Sequence, residues 1–507
     1  MIAVFCSGLY TQSKPGTPPE FFDYMKAFAR YYPIIDDIKA FEEAVGPPQP
    51  LFVWTNTLRT TPRQLVDVLE QDGYELTPLP WHPQAFRVRR RDEGGSERLG
   101  RHWAYLAGWF HIQEASSMIP ALLLDPRPGE RILDLCAAPG NKTALMAQAL
   151  ENRGTVVAND VFWDRLRPLR SAIDRLGLLN VSVTCHDGTS YPKRAGQFDR
   201  VLVDVPCSCE GTTRRFPRLL KRPPTRPTAR RFKKQQLLLQ TAIRRCRQGG
   251  RILYSTCTYA PEENEAVVNA VLGEMPDKVC ILPVGLPGIK TAPGLTAWGG
   301  ESFQDDLENS IRIWPHLNDS GGFYIALLEK IGSDSTKAIE TPQVKQPDFR
   351  PASGSTQQIF NAADTMFEIL NERFGIEPAA FDGLQLLKKS GRDIYAAAGD
   401  HRPPQLADCI SGLPLFHMHS RLPKPTTSCA TAFGPMAERN VVDASKGQLQ
   451  NYLARRPFAL KKDQVNACDA SSGYVLVRFK NAVMGVGYYD KSEGAVASLF
   501  PKSRARG

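Results

Sequence analysis

Between residues 131 and 257, short apolar runs alternate strictly with amphipathic stretches. "RILDLC" reads as a strand and "NKTALMAQAL" as a helix; "TVVAND" is the next strand and "DRLRPLRSAIDRLG" the next helix. "VSVTCHDG", "FDRVLVDVP" and "RILYSTC" follow as strands, with the helix "QQLLLQTAIRRCRQGG" before the last and Gly249-Gly250 as its stop. Runs of β-branched residues separated by helices predict an α/β fold, a Rossmann-like doubly wound parallel sheet, over about residues 96–331. In such a sheet, ligands lie beyond the carboxyl ends of the strands. Those ends are therefore where chemistry is sought.

The first strand runs into "LDLCAAPGNKT", residues 133–143. GxGxxG is absent, and Asn141 between Gly140 and Lys142 breaks the GxxxxGK[ST] pattern, so neither a pyrophosphate nor a triphosphate loop is indicated. The turn of Cys136, Ala137, Ala138, Pro139, Gly140, Asn141 and Lys142 opens a helix N-terminus, which suits a small anion such as an amino-acid carboxylate. Asp160 ends the second strand and suits a ribose hydroxyl pair; Asp187 follows the third and can accept from a purine amine. Carboxylate, ribose and adenine together describe S-adenosylmethionine.

The fourth strand ends at Asp204 and Cys207, the fifth at Cys257. Two thiols and an acid beside a methyl donor suggest methylation of a pyrimidine at carbon 5. That carbon is a poor nucleophile until a thiolate adds at carbon 6. An acid at the base edge stabilises the charge that develops on the ring. Chemistry alone leaves either thiol as the attacking one.

Composition narrows the alternatives. Among 507 residues the eleven cysteines form no CxxC pair, so neither a zinc module nor a thioredoxin motif is signalled, and reduced thiols in a cytoplasmic protein are expected. Cys207-x-Cys209 could hold a metal only with distant partners, and none is expected to be bound. No apolar run approaches the ~20 residues of a membrane span, and "MIAVFCSGLYTQSKPG" lacks the positive start of a secretory signal. The net charge of +10 is concentrated between Arg214 and Lys234, a stretch with ten cations, four prolines and no acid, which reads as a phosphate-contacting loop.

"DLCAAPGNKT", "ANDVFWDRL", "HDGT", "VDVPCSCEG" and "YSTCTYAPEENE" together resemble the RNA (cytosine-5) methyltransferases of the Sun/Nop type, and the likeness extends upstream to "FHIQEASSMIPALLL". The long C-terminal part resembles that of the bacterial RsmF-type members, which modify small-subunit ribosomal RNA. The resemblance implies that the 136–142 loop, Asp160, Asp187 and Asp204 serve S-adenosylmethionine, that Cys257 is the nucleophile, and that Cys207 assists release. It implies ribosomal RNA or the small ribosomal subunit as partner, with transfer RNA as the alternative and a non-catalytic RNA-binding protein as the competing class. The pattern usually has glycine where Cys209 stands.

By the same resemblance, residues 1–95 are an N-terminal α+β RNA-binding domain. Residues 332–356 read as a Ser/Pro/Gly-rich linker, and 357–507 as an extension with a PUA-like β-rich module.

Overall fold

The structure, a computed structural model, describes residues 28–92, 98–221, 228–332, 356–389, 393–418, 423–469 and 471–505. Residues 333–355 of the linker, the first 27 residues and part of the basic run (residues 222–227) lie outside them. Among the described residues no helix is long and apolar enough to cross a membrane.

The central unit contains helix α1 (Ala115–Leu124), strand β1 (Arg131–Asp134), α2 (Asn141–Ala149), β2 (Thr155–Asn159), α3 (Trp163–Leu176) and β3 (Val181–Thr184). After these come β4 (Phe198–Asp204), α4 (Ala229–Arg245), β5 (Cys246–Thr256), α5 (Glu265–Glu274), β6 (Val279–Leu282), β7 (Ile311–Ile313) and β8 (Phe323–Lys330). Strands β3, β2, β1, β4 and β5 lie side by side, all parallel, as the alternation predicts. Their near-continuous burial reflects helices on both faces; every residue of β2 is buried.

Three features depart from the sequence reading. Strands β6, β7 and β8 extend the sheet antiparallel beyond β5. Helix α4 begins at Ala229 rather than near Gln235, because Thr228 caps it by accepting from the Arg231 amide. It also ends at Arg245, before the expected Gly249-Gly250 stop; Gly249, with φ of 68°, sits where the β4–β5 register shifts.

Ahead of the central sheet, four antiparallel strands form a small sheet in the order Tyr74–Leu79, His82–Arg90, Leu51–Thr55, Phe110–Ile112. Helix Pro62–Gln71 follows strand Leu51–Thr55 in sequence and carries a complete capping box from Thr61 to Gln64. The C-terminal part forms two further sheets. The last contains the hairpin Gly473–Phe479 and Ala482–Asp490, turned at Lys480-Asn481 with both residues at positive φ. Its buried side shares one core with the N-terminal sheet, where Val442, Tyr452 and Val475 join Val53, Leu65 and Phe110. Residues Ile410–Ser411 pair with β3, so the C-terminal part also covers one edge of the central sheet.

Candidate active site

The carboxyl ends of β1, β4 and β5 converge. Asp134, Cys136, Ala137, Ala138, Pro139, Asn141, Lys142 and Asp204 line one recess there, together with Ser117 from α1. Gly140 is the helix N-cap with φ of 108°, and a Cβ there would come within 3.0 Å of Leu169 of α3. Only glycine lets the turn lie this close to α3. Asn141 is held from outside the loop. The Arg175 guanidinium donates to His111 Nδ1 at 2.7 Å, which leaves the His111 Nε2 proton to donate to Asn141 Oδ1 at 3.0 Å. Burial holds the His111 pKa down to about 3, so this ring is neutral.

The charges at the recess are paired. Lys142 Nζ lies 2.7 Å from Asp204 Oδ2, and Ser255 donates to Asp204 Oδ1 at 2.8 Å. Burial pulls the Lys142 pKa down, and the Asp204 carboxylate more than offsets it, so the amine stays charged. Asp160 is buried and accepts from Arg165 at 3.0 Å and from the Ala138 amide at 3.3 Å. Asp187 does not line the recess; it stands exposed after β3, where its Oδ1 caps the Thr189 amide and hydroxyl.

Asp134, at the end of β1, was not singled out by the sequence pattern. Thr143 donates to its Oδ2 at 2.6 Å, its Oδ1 is buried without a partner, and burial lifts its carboxyl to about 7. Its signal is positional: it stands at a strand end as Asp160 and Asp204 do.

The two cysteines that the sequence places fifty residues apart meet. Cys207 Sγ lies 3.4 Å from Cys257 Sγ, and the three sulfurs of Cys207, Cys209 and Cys257 lie within 4.8 Å of one another. The register explains this: Asp204 of β4 is opposite Ser255 of β5, so both chains leave the sheet at the same edge. The Gly211 amide donates to Cys257 O at 2.9 Å, and the Gly322 amide to Gly211 O at 2.9 Å, which pins the thiol loop between β5 and β8. Cys209 has φ of 64°, the left-handed region that favours glycine. Hydrogen bonds from Cys207 and Cys257 hold the Cys209 thiol low, and the same contacts with burial push Cys257 up.

A second buried carboxylate that the sequence pattern missed, Glu263, ties this loop down. It accepts from the Ser208 amide at 3.1 Å, from Gln235 at 2.9 Å and from Arg231 at 3.3 Å. Gln235 also donates to Pro206 O at 3.0 Å. Two of the arginines expected to contact phosphate therefore have other work. Arg231 neutralises Glu263, and Arg214 is buried, donating to the carbonyls of Pro47 and Ser320 and to Asp319 at 2.8 Å. Arg215, Arg218, Arg230, Lys233 and Lys234 remain exposed; Arg222 and Arg226 lie outside the described residues.

Comparison with known proteins adds an independent line. Residues 121–329 match the family described as 16S rRNA methyltransferase RsmB/F. A tRNA (cytosine(49)-C(5))-methyltransferase from Pyrococcus abyssi is 36% identical over 61% of this chain and 98% of its own. Ribosomal RNA small subunit methyltransferase F from Erwinia tasmaniensis is 33% identical over 68% of this chain and 70% of its own. A crystal structure of a methyltransferase homologue from Pyrococcus horikoshii superposes with a TM-score of 0.53 at 31% identity, covering 62% of this chain and all of that one. The chain belongs to the RsmB/F family of RNA (cytosine-5) methyltransferases.

Proposed function

We propose that this protein methylates carbon 5 of a cytosine in small-subunit ribosomal RNA through a covalent cysteine–cytosine intermediate. The observation that carries the reading is the pair of thiols, 3.4 Å apart, at the same sheet edge as the Lys142–Asp204 pair. Cys257 is assigned the attack on carbon 6 of a base flipped out of its stack. Asp204, held by Lys142 and Ser255, meets the polar edge of that base and stabilises the charge that develops on the ring. Cys207, in contact with Cys257, is assigned to the release step, in which the carbon-5 proton leaves and the Cys257 thiolate is expelled.

S-adenosylmethionine, when bound, supplies the methyl group from a sulfonium centre. The recess fits its amino-acid end: the unpartnered Asp134 Oδ1 suits an ammonium group, and the amides after Gly140 suit a carboxylate. Asp160 is assigned to the ribose through Oδ2, which accepts from the Ala138 amide and keeps a second lone pair, whereas Oδ1 is taken by Arg165 and the Phe162 amide; Asp187 is assigned to the adenine amine. Residues 1–95 and 357–507 are assigned as RNA-binding parts, the latter carrying a PUA-like module, and 96–331 as the catalytic domain, in a cytoplasmic protein that keeps its thiols reduced. A cavity of about 610 Å³ between α3 and the C-terminal part, lined by Arg167, Arg170, Lys424 and Arg504, suits an RNA backbone.

The ribosomal target rests on the extent of the match: the small-subunit enzyme aligns with 349 residues of this chain and the transfer-RNA enzyme with 312. Bisulfite sequencing of total RNA from cells with and without the gene tests the target. Loss of one small-subunit cytosine mark is expected; loss of a transfer-RNA mark instead would sink the ribosomal assignment. A covalent adduct with 5-fluorocytidine RNA that disappears in Cys257→Ala tests the chemistry. Its survival there and loss in Cys207→Ala would exchange the two thiols' roles.

A further inference from the structure

Cys209 is the residue the proposed reaction leaves unused. Its backbone is in the left-handed region, which costs a non-glycine residue on the order of 1–2 kcal/mol. In that conformation its sulfur joins Cys207 and Cys257, and the three lie within 4.8 Å of one another. A zinc–sulfur bond of ~2.3 Å places tetrahedral ligand sulfurs roughly 3.8 Å apart. The 3.4 Å between Cys207 and Cys257 and the 4.8 Å bound on the trio bracket that spacing. With glycine at 209 only two thiols would remain, one short of the three protein ligands that even an open zinc site uses. The loop is also held in place by Glu263 and by the Gly211–Cys257 hydrogen bond, so little reorganisation is needed to bring the sulfurs to one ion.

We propose that Cys207, Cys209 and Cys257 form a three-thiolate site for a thiophilic d10 cation, zinc(II), and that its occupancy turns methylation off. Binding releases the thiol protons to solvent and leaves one zinc held by three sulfur–metal bonds, with a fourth position open to water. No electron is transferred, so a chelator restores the free thiols. The silencing rests on the assignment of Cys257 and Cys207 to the reaction; the metal binding does not.

The test uses the reduced, metal-free full chain and zinc(II), titrated against a chromophoric chelator, with cadmium(II) as spectroscopic probe. One equivalent of zinc per chain is expected, along with a sulfur-to-cadmium charge-transfer band. Cys209→Gly suits the left-handed backbone and is expected to fold. It should keep methylation under chelator within a few-fold, yet lose at least the ~100-fold in zinc affinity at the upper end of what losing a mere supporting partner costs. Equal zinc affinity in the wild type and Cys209→Gly, or no zinc bound at micromolar concentration, overturns the site. If zinc binds through Cys209 but methylation continues, the site stands and the assignment of the two reacting thiols falls.

Discussion

Asp134 shows how one buried residue sets a pH dependence. Burial lifts its carboxyl to about 7 in the free protein. An ammonium is attracted only by the ionised form, so S-adenosylmethionine affinity is expected to rise as pH increases from 6 to about 7.5, below the range in which the ligand's own α-amino group loses its proton. Calorimetric titration checks this, and Asp134→Asn should bind weakly with a flat profile. A steep profile surviving in Asp134→Asn would assign the effect to another group. What the sequence reveals at this scale is uneven, for physical reasons. Cys207, Cys257 and Asp204 stand at strand ends in a parallel sheet, and strand ends can be read from hydrophobic runs. Asp134 and Glu263 owe their character to burial, and the Arg175–His111–Asn141 relay to contacts between distant segments. Arg214 illustrates the converse: charge patterning marks it as a phosphate contact, yet the carbonyls of Pro47, Pro48 and Ser320 and the Asp319 carboxylate hold it inside.

Among the elements, α5 and β7 are joined by one ion pair. Arg312 donates through Nε to Glu265 Oε1 at 2.7 Å and pairs through Nη2 with Oε2; both side chains are almost wholly buried. Removing one partner leaves the other charge uncompensated, so Arg312→Met is expected to cost about 3–5 kcal/mol. Denaturant unfolding measures it, and the double variant with Glu265→Gln should recover part of the loss. A loss below 1 kcal/mol in the single variant would count against the pair as a fastening of the antiparallel extension. That extension was not legible beforehand, because β6 and β7 are short and separated by loops without helical or alternating pattern. The five parallel strands were legible, because each is a continuous apolar run. The start of α4 was hidden by its cationic, proline-flanked first turn, which reads as loop.

In the whole molecule, the C-terminal part is fastened to the central sheet by a buried imidazole. His401 Nε2 lies 2.8 Å from Ser182 Oγ and its Nδ1 3.2 Å from Thr155 Oγ1. Burial lowers its pKa to about 4. The unfolded chain takes up this proton near pH 6.5, the folded chain only near 4, so stability falls as pH drops through that window, by up to ~3 kcal/mol at the acid end. His111 acts in the same sense. Asp134 acts oppositely, since it keeps its proton up to about 7 when folded and so stabilises on acidification. The thermal midpoint is expected to fall between pH 6.5 and 4.5, and less steeply in His401→Gln. An unchanged slope would remove His401 from the account. Neither this fastening nor the core shared by the two ends of the chain could be read from the sequence, which shows a linker and a separate β-rich module.

The pairing of Ile410 with Val183 also has a temporal side. The partner strand leaves the ribosome more than two hundred residues after β3 does. At ~5–20 residues per second that is a delay on the order of 10–40 s. Through that interval the β3 edge of a nascent sheet presents unpaired backbone groups, the kind of surface on which neighbouring chains register and aggregate. Synthesis that pauses before residue 410 therefore exposes the nascent chain to self-association, and the C-terminal part acts within its own chain as the last guard of an unfinished edge.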